Sequence, residues 1–159
     1  MYYYIDGYNL LFRMVESKQS LQKQRESVVR FLQKEFARLK MKGQIVFDGK
    51  HRQDEESGLF YPSPLEAAFA PKGQTADHYI LEQLEMEKRR SLITVVTDDK
   101  SLMRQARALG AHVQSNGSFV RSLEGKRLKK KKKQVEPKES QKNIDRLLKI
   151  FEDKLKEEN

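Results

Sequence analysis

The sequence has 159 residues, of which 37% are hydrophobic and 35% are charged, and its formal net charge is +9. The absence of cysteine excludes disulfide bonds, thiolate zinc sites and a cysteine nucleophile. No apolar run approaches the ~18–20 residues that cross a bilayer, and no signal-peptide pattern opens the sequence, so we expect a cytoplasmic protein without a membrane partner.

Short apolar runs alternate with longer amphipathic segments, a pattern typical of βα units that form a parallel sheet. The elements predicted for the first half of the chain are a strand at Tyr2–Asp6, a helix over Ser20–Met41 that Gly43 ends, a strand at Gln44–Asp48, a long loop over residues 49–64 and a strand at Leu65–Ala70.

The same alternation continues in the second half. The elements predicted there are a helix from the N-cap Thr75 to about Arg90, a strand at Leu92–Thr97, a helix that Asp99 caps and that runs to Leu109, a strand at Ala111–Gln114 and a short helix over Ser118–Leu123. We therefore predict an α/β fold with a mainly parallel five-stranded sheet flanked by helices.

Basic residues are concentrated near the end of the chain. Residues 125–159 contain 13 basic and 7 acidic residues, whereas residues 1–124 contain 19 and 16. This bias favours a polyanionic partner, either nucleic acid or an acidic membrane surface.

Seven basic residues occupy an eight-residue window: Lys126, Arg127, Lys129, Lys130, Lys131, Lys132 and Lys133. This basic run contains no aromatic residue, so we predict that it binds RNA phosphates without reading sequence; the alternative is a solvated linker with no ligand.

The composition divides the chain into three parts. Residues 1–124 are predicted to form the folded domain, residues 125–139 a flexible basic linker and residues 140–159 an amphipathic helix. The apolar face of this last helix contains Ile144, Leu147, Leu148, Phe151 and Leu155. We predict that this face docks on the domain or on a partner.

Aspartates follow several of the predicted strands. Asp6 ends the first strand, Asp48 the second, and Asp98 with Asp99 follows the strand Leu92–Thr97, while Asp77 lies in the first turn of a helix. Because the carboxyl ends of parallel strands meet at one edge, these acids are expected to lie together. Uncompensated carboxylates repel, and an all-oxygen site favours Mg²⁺ or Mn²⁺.

Each acid alone also has an ordinary structural explanation. Asp99 has the position of a helix N-cap, and Asp48 before Gly49 is typical of a turn. Asp77 is placed to stabilise the positive end of a helix dipole. The joint arrangement of all the acids is what favours a metal site over these alternatives.

Four short segments carry a resemblance to a known family. They occur in the order Asp6-Gly7-Tyr8-Asn9, Val46-Phe47-Asp48-Gly49, Thr75-Ala76-Asp77-His78-Tyr79-Ile80 and Val96-Thr97-Asp98. Residues 1–124 resemble the YacP-like branch of the NYN domains, within the PIN-like nuclease superfamily. The resemblance implies a PIN-like fold of three layers with strand order 3-2-1-4-5. It also implies a metal-dependent endoribonuclease that uses Mg²⁺ or Mn²⁺ and acts on mRNA at the ribosome.

The resemblance further implies roles for individual residues. Asp6, Asp77 and Asp98 would be the catalytic acids and metal ligands, Asn9 the polar companion of Asp6, and Asp48 a supporting acid. The branch commonly has Ser where this sequence has Thr97, a change that keeps the hydroxyl group.

RNA contacts are predicted for residues near these acids. Arg25 lies in the apolar stripe of the first helix, where it either extends to solvent at the helix edge or turns to the acids and grips a phosphate. Tyr8 and the loop residues Phe60 and Tyr61 are candidates for stacking on an unpaired base.

Three functional classes fit these observations, and we favour a metal-dependent endoribonuclease. The second class is a catalytically silent RNA- or ribosome-binding module, which would gain nothing from acids facing phosphate. The third is a phosphatase with Asp6 as nucleophile, a chemistry that requires a second acid two residues later, where the sequence has Tyr8.

Overall fold

The structure is a computed structural model that describes residues 1–14, 18–49, 59–61, 63–131 and 148–153. Its strands are β1 (Tyr2–Asp6), β2 (Lys42–Phe47), β3 (Leu59–Tyr61), β4 (Leu65–Phe69), β5 (Ile93–Val96) and β6 (His112–Gln114). Its helices are α1 (Gly7–Met14), α2 (Leu21–Leu39), α3 (Ala76–Met86), α4 (Lys100–Ala108), α5 (Asn116–Lys131) and α6 (148–153), with a 3₁₀ turn at Arg90–Leu92.

The strands form one sheet in the order β3-β4-β2-β1-β5-β6. Five strands are parallel, and their order confirms the predicted arrangement with the first strand at the centre. β3 is antiparallel to β4 at one edge, so the prediction of an uninterrupted loop over residues 49–64 was wrong at residues 59–61. Ile5 pairs with both Ile45 and Val96, which places the carboxyl ends of β1, β2 and β5 level with one another.

Helix α1 begins directly after β1 and was not predicted. It buries Leu10, Leu11 and Met14. This apolar spacing is short, and the helix begins with residues that are typical of a turn, so the sequence pattern did not indicate a helix. Gly7 allows α1 to begin there, because a Cβ atom at this position would lie 2.5 Å from Cδ1 of Phe47. The close approach of α1 to β2 therefore requires glycine.

The predicted end of the next helix was also wrong. Helix α2 ends at Leu39, and Lys40 takes the left-handed conformation with φ 56°. Gly43 instead lies within β2, where a Cβ atom would be 2.5 Å from the carbonyl oxygen of Tyr3. Gly43 is thus required by the close pairing of two strands and not by a helix terminus.

The sheet separates two apolar layers. Helices α1, α2, α5 and α6 cover one face, in a core that includes Ile5, Phe36 and Phe119. Helices α3 and α4 cover the other face, where Ile80 and Leu102 are fully buried. This three-layer arrangement agrees with the predicted fold class.

The C-terminal part of the chain differs from the prediction at the start of the linker, whereas residues 148–153 are helical as predicted. Helix α5 runs through Lys131, so the predicted flexible linker over residues 125–139 does not begin at residue 125; residues 132–139 lie outside the described part of the chain. In α6, Phe151 is 1% exposed and its ring lies 4.4 Å from that of Phe31. Helix α6 therefore packs on the body of the protein, while Ile144, Leu147 and Leu155 are not described.

No helix within the described ranges combines the length and apolarity needed to cross a membrane.

Candidate active site

All five aspartates singled out above lie where parallel strands end, at what we call the carboxyl edge. Asp6 is the last residue of β1, Asp48 follows β2, Asp77 is in the first turn of α3, and Asp98 and Asp99 connect β5 to α4. The level ends of the three central strands bring these segments to the same edge.

Asp6 occupies the centre of this edge, and its environment opposes ionisation. Its Oδ2 accepts a hydrogen bond of 3.0 Å from the hydroxyl of Thr97. The pKa of Asp6 is raised from 3.8 to about 7: burial is the largest cause, the Thr97 hydrogen bond acts in the opposite direction, and the charges of the nearby acids add to the increase. Those acids are Asp48, Asp77 and Asp99, which therefore lie close enough to repel an ionised Asp6.

Helices α1, α3, α4 and α5 begin at the carboxyl edge, and an aspartate accepts a hydrogen bond from the start of each of the last three. Oδ1 of Asp48 accepts from the N–H of Ala76 at 2.6 Å in α3. Oδ1 of Asp99 accepts from Leu102 at 3.0 Å in α4, which confirms Asp99 as an N-cap.

The third of these contacts joins Asp98 to α5. Oδ1 of Asp98 accepts from the N–H of Asn116 at 2.9 Å. Three helix N-termini thus direct their positive ends at this edge, where they partly offset the carboxylates and favour an approaching anion such as phosphate.

An asparagine pair connects α1 to the start of α5. Oδ1 of Asn9 accepts hydrogen bonds from the N–H of Asp98 and from Nδ2 of Asn116, both at 2.8 Å. Asn116 is fully buried, and among the described residues its Oδ1 has no hydrogen-bond partner. Asn116 was not predicted as a site residue, although its position just after β6 follows the same strand-end pattern as the aspartates.

The donor atoms of the edge suit a hard cation, because they are carboxylate and amide oxygens. Asp48, Asp98 and Asp99 each use one carboxylate oxygen at a helix start, which leaves the second oxygen for another ligand. Within the described ranges, however, no group of three Asp, Glu or His side chains is arranged to hold a metal ion. The chemistry of the donors fits Mg²⁺ or Mn²⁺, whereas their present spacing does not form a complete coordination shell.

The residues predicted to contact RNA lie in different environments. Arg25 is only 4% exposed, and its Nη1 donates to the hydroxyl of Tyr8 at 3.1 Å, while its guanidinium lies over the ring of Phe69. Tyr8 is 5% exposed. Both side chains are thus part of the buried core, and neither extends to solvent.

The basic run begins at the opposite edge of the sheet. Nζ of Lys126 lies 3.8 Å from the sulfur of Met41 and 5.8 Å from the ring centre of Tyr3, near the starts of β2 and β1. Arg127, Lys129, Lys130 and Lys131 continue α5 beyond this point, and Lys132 and Lys133 are outside the described residues. For Phe60 and Tyr61 the structure describes only the strand they belong to, β3.

Comparisons with known proteins agree with this architecture. The YacP-like NYN domain family matches residues 3–158. Two crystal structures of Rae1 (YacP) from Bacillus subtilis share the fold, both at 17% sequence identity: a mutant with a TM-score of 0.63 that covers 100% of both chains, and a second with a TM-score of 0.64 that covers 82% of this chain and 78% of that one. A search of curated proteins gave no match. Because the family match extends over nearly the whole sequence, the chain belongs to the YacP-like NYN domain family, within the PIN-like nuclease superfamily.

Proposed function

We propose that this protein is a metal-dependent endoribonuclease that hydrolyses RNA phosphodiester bonds and acts on mRNA at the ribosome, in the cytoplasm. Membership of an NYN family supports the nuclease activity. The net charge of +9 supports a polyanionic substrate.

The observation that carries the proposal is the crowding of acids around Asp6. Its pKa is raised to about 7, in part by the charges of Asp48, Asp77 and Asp99. A fold does not gain stability from repelling carboxylates, so their presence at one edge favours a role that needs concentrated negative charge. Binding of a divalent cation is such a role.

In the proposed reaction Asp6, Asp77 and Asp98 are the catalytic acids that hold Mg²⁺ or Mn²⁺, with Asp48 and Asn9 in support. The bound metal would lower the pKa of a water molecule and stabilise negative charge on the phosphate. Thr97 fixes the carboxylate of Asp6, and Asn9 fixes the backbone of Asp98. The starts of α4 and α5 provide a positive field for the phosphate of the substrate.

The experiment is cleavage of a single-stranded RNA by the full chain, with Mg²⁺, with Mn²⁺ and with a chelator. We expect cleavage only with metal, and a loss of at least about 100-fold in Asp6→Asn, Asp77→Asn and Asp98→Asn, because each removes a charged ligand. RNA binding, measured in the chelator, should persist in all three variants.

The matched control is Glu87→Gln, which neutralises an exposed carboxylate at the C-terminal end of α3, at the opposite end of this helix from Asp77. It should cleave as the wild type does. Activity near the wild-type level in both Asp6→Asn and Asp77→Asn, or undiminished cleavage in the chelator, would contradict the proposed site.

One observation favours the alternative of a silent RNA-binding module. The described residues contain no three acidic or histidine side chains arranged to hold a metal ion. A protein that binds RNA with equal affinity in chelator and in Mg²⁺, and cleaves it in neither, would establish this alternative. The phosphatase mechanism has less support, because the position of its second acid is taken by the buried Tyr8.

A further inference from the structure

Helix α1 exposes one aromatic side chain close to the carboxyl edge. Phe12 is 58% exposed, whereas Leu10, Leu11 and Met14 of the same helix are buried. A single exposed apolar residue is ordinary at a protein surface. The contacts and the position of Phe12 are what distinguish it.

The ring of Phe12 is held in place by a stack of buried groups. It lies parallel to the ring of Tyr8, with 5.6 Å between centroids and 16° between planes. The hydroxyl of Tyr8 accepts a hydrogen bond from Arg25, whose guanidinium in turn lies 4.7 Å from the ring centre of Phe69. Phe12 is therefore an exposed aromatic surface on a fixed support.

Phe12 also lies beside the proposed catalytic residues. It is three positions after Asn9, so the two side chains are neighbours on the surface of α1. Asn9 is bonded to the backbone of Asp98 and to Asn116. The aromatic ring is thus one helical turn from the acidic edge.

A cation accompanies the ring. Arg13 is exposed and lies four positions after Asn9, and its Nη2 would be 3.6 Å from a Cβ atom placed on Gly117. Its guanidinium is therefore near the first turn of α5, next to the contact of Asp98 with Asn116. The solvent-exposed face of α1 therefore presents an aromatic ring and, at the next residue, a positive charge.

We propose that this face holds one nucleotide of a single-stranded RNA next to the cleaved bond, with its base stacked on Phe12 and its phosphate bound by Arg13. The inference deepens the proposed function and rests on it. Base stacking on an aromatic ring is available only to an unpaired base and tolerates every base. The surface therefore selects single-stranded substrates without selecting sequence.

The test measures binding of the full chain to oligoadenylate RNA in a chelator, so that the RNA stays intact under the proposed function. Phe12→Ala should weaken binding by about 5-fold or more, the effect of removing one stacked base. Phe12→Leu, which keeps an apolar contact with Tyr8, should weaken it similarly, whereas Phe12→Trp should bind as the wild type does. The control is Met86→Ala on α3, which removes a side chain that is 70% exposed and should change nothing.

A second series identifies the base. Each oligonucleotide of this series lacks the base at a different position. We expect that loss of the base at one position weakens binding to the wild type. On that oligonucleotide, Phe12→Ala should bind as tightly as the wild type does. Arg13→Gln should reduce the dependence of log K on log salt by about 0.7, the value for one single-strand phosphate.

The outcomes separate this inference from the function it rests on. If wild type cleaves RNA but Phe12→Ala and Phe12→Leu bind like wild type, the inference fails and the proposed function stands. If the base-removal series shows the coupling to Phe12 but no cleavage occurs in any metal, the nuclease proposal fails and the stacking surface stands.

Discussion

At the scale of single residues, the folded state sets the protonation of Asp6. An unfolded chain releases this proton near pH 3.8, whereas the folded protein retains it until about pH 7 because burial is the largest cause of the raised pKa. Between these values the folded state binds more protons than the unfolded state. The free energy of unfolding therefore falls as the pH rises from about 4 to about 7 and is independent of Asp6 above that range.

We predict that Asp6→Asn stabilises the metal-free protein at pH 8 by at most about 4 kcal/mol, the equivalent of the three-unit shift in pKa. The amide carries no charge, so its burial at the carboxyl edge does not repel the neighbouring acids. The gain should shrink toward pH 4, where Asp6 is protonated in both states. Thermal unfolding in a chelator across this pH range measures the effect.

The control for Asp6 is Asp153→Asn, an exposed acid of α6, which should leave the pH profile unchanged. If Asp6→Asn lowers the unfolding temperature at pH 8, burial and repulsion oppose the ionised Asp6 less than its pKa indicates.

We predict that Asn9→Ala destabilises the protein by about 1–3 kcal/mol. The substitution removes the acceptor for both the N–H of Asp98 and Nδ2 of Asn116, and the amide of Asn116 is buried. Denaturant unfolding measures the loss. Gln105→Ala removes an exposed amide that bonds to Ser101, so it should change the free energy of unfolding by less than about 0.5 kcal/mol. Equal effects of the two substitutions would show that the asparagine pair does not support the edge.

The position of the acids followed from the sequence, but their partners did not. Parallel strands end at one edge regardless of the rest of the fold, and this rule placed Asp6, Asp48 and Asp98 together. The partners of these acids depend on contacts between residues far apart in the chain, such as Thr97 with Asp6 and Asn116 with Asp98. No local pattern in the sequence encodes those contacts.

At the scale of elements, the long periodic segments and most strands were predicted, whereas two short elements, α1 and β3, were not. Helix α2 has 19 residues with several turns of apolar spacing, whereas α1 has 8 and β3 has 3. The end of α2 was misplaced because Lys40, a residue that rarely adopts positive φ, ends the helix in place of a glycine. Tertiary packing determines these elements more than local propensity does.

We predict that Phe151→Ala lowers the free energy of unfolding by about 3 kcal/mol, because it leaves a cavity where α6 packs on α2. Phe151 is 1% exposed and contacts Phe31 edge to face. Ile150→Ala is the matched control, since Ile150 lies beside it and is 37% exposed. Its effect should stay below about 1 kcal/mol in the same denaturant series. Similar losses in both variants would show that α6 does not depend on this one contact.

At the scale of the whole molecule, the acids lie at one edge of the sheet and Lys126, the first residue of the basic run, lies at the opposite edge. Helix α5 begins at the carboxyl edge with Asn116, and Lys126 already lies near the starts of β1 and β2. Its 16 residues span about 24 Å. A phosphate bound near Lys126 would therefore not be the phosphate that meets the acids, and we expect the basic run to contact another part of the RNA.

This separation predicts that the basic run contributes affinity and not catalysis. Replacing the five consecutive lysines Lys129, Lys130, Lys131, Lys132 and Lys133 with glutamine leaves Phe151 and the core in place, which deletion of residues 125–159 would not. If three or four of the lysines contact single-strand phosphates, the slope of log K against log salt should fall by about 2–3. The cleavage rate at saturating RNA should stay at the wild-type value, because the acids at the carboxyl edge are untouched. Binding titrations over a range of salt, with single-turnover cleavage in parallel, measure both quantities.

Lys88→Gln, a substitution of one exposed lysine after α3, controls for net charge and should change the slope by less than about 0.7. An unchanged slope in the five-residue variant would show that the basic run is a solvated segment that does not bind RNA. A reduced cleavage rate at saturating RNA would show that these lysines contribute to catalysis.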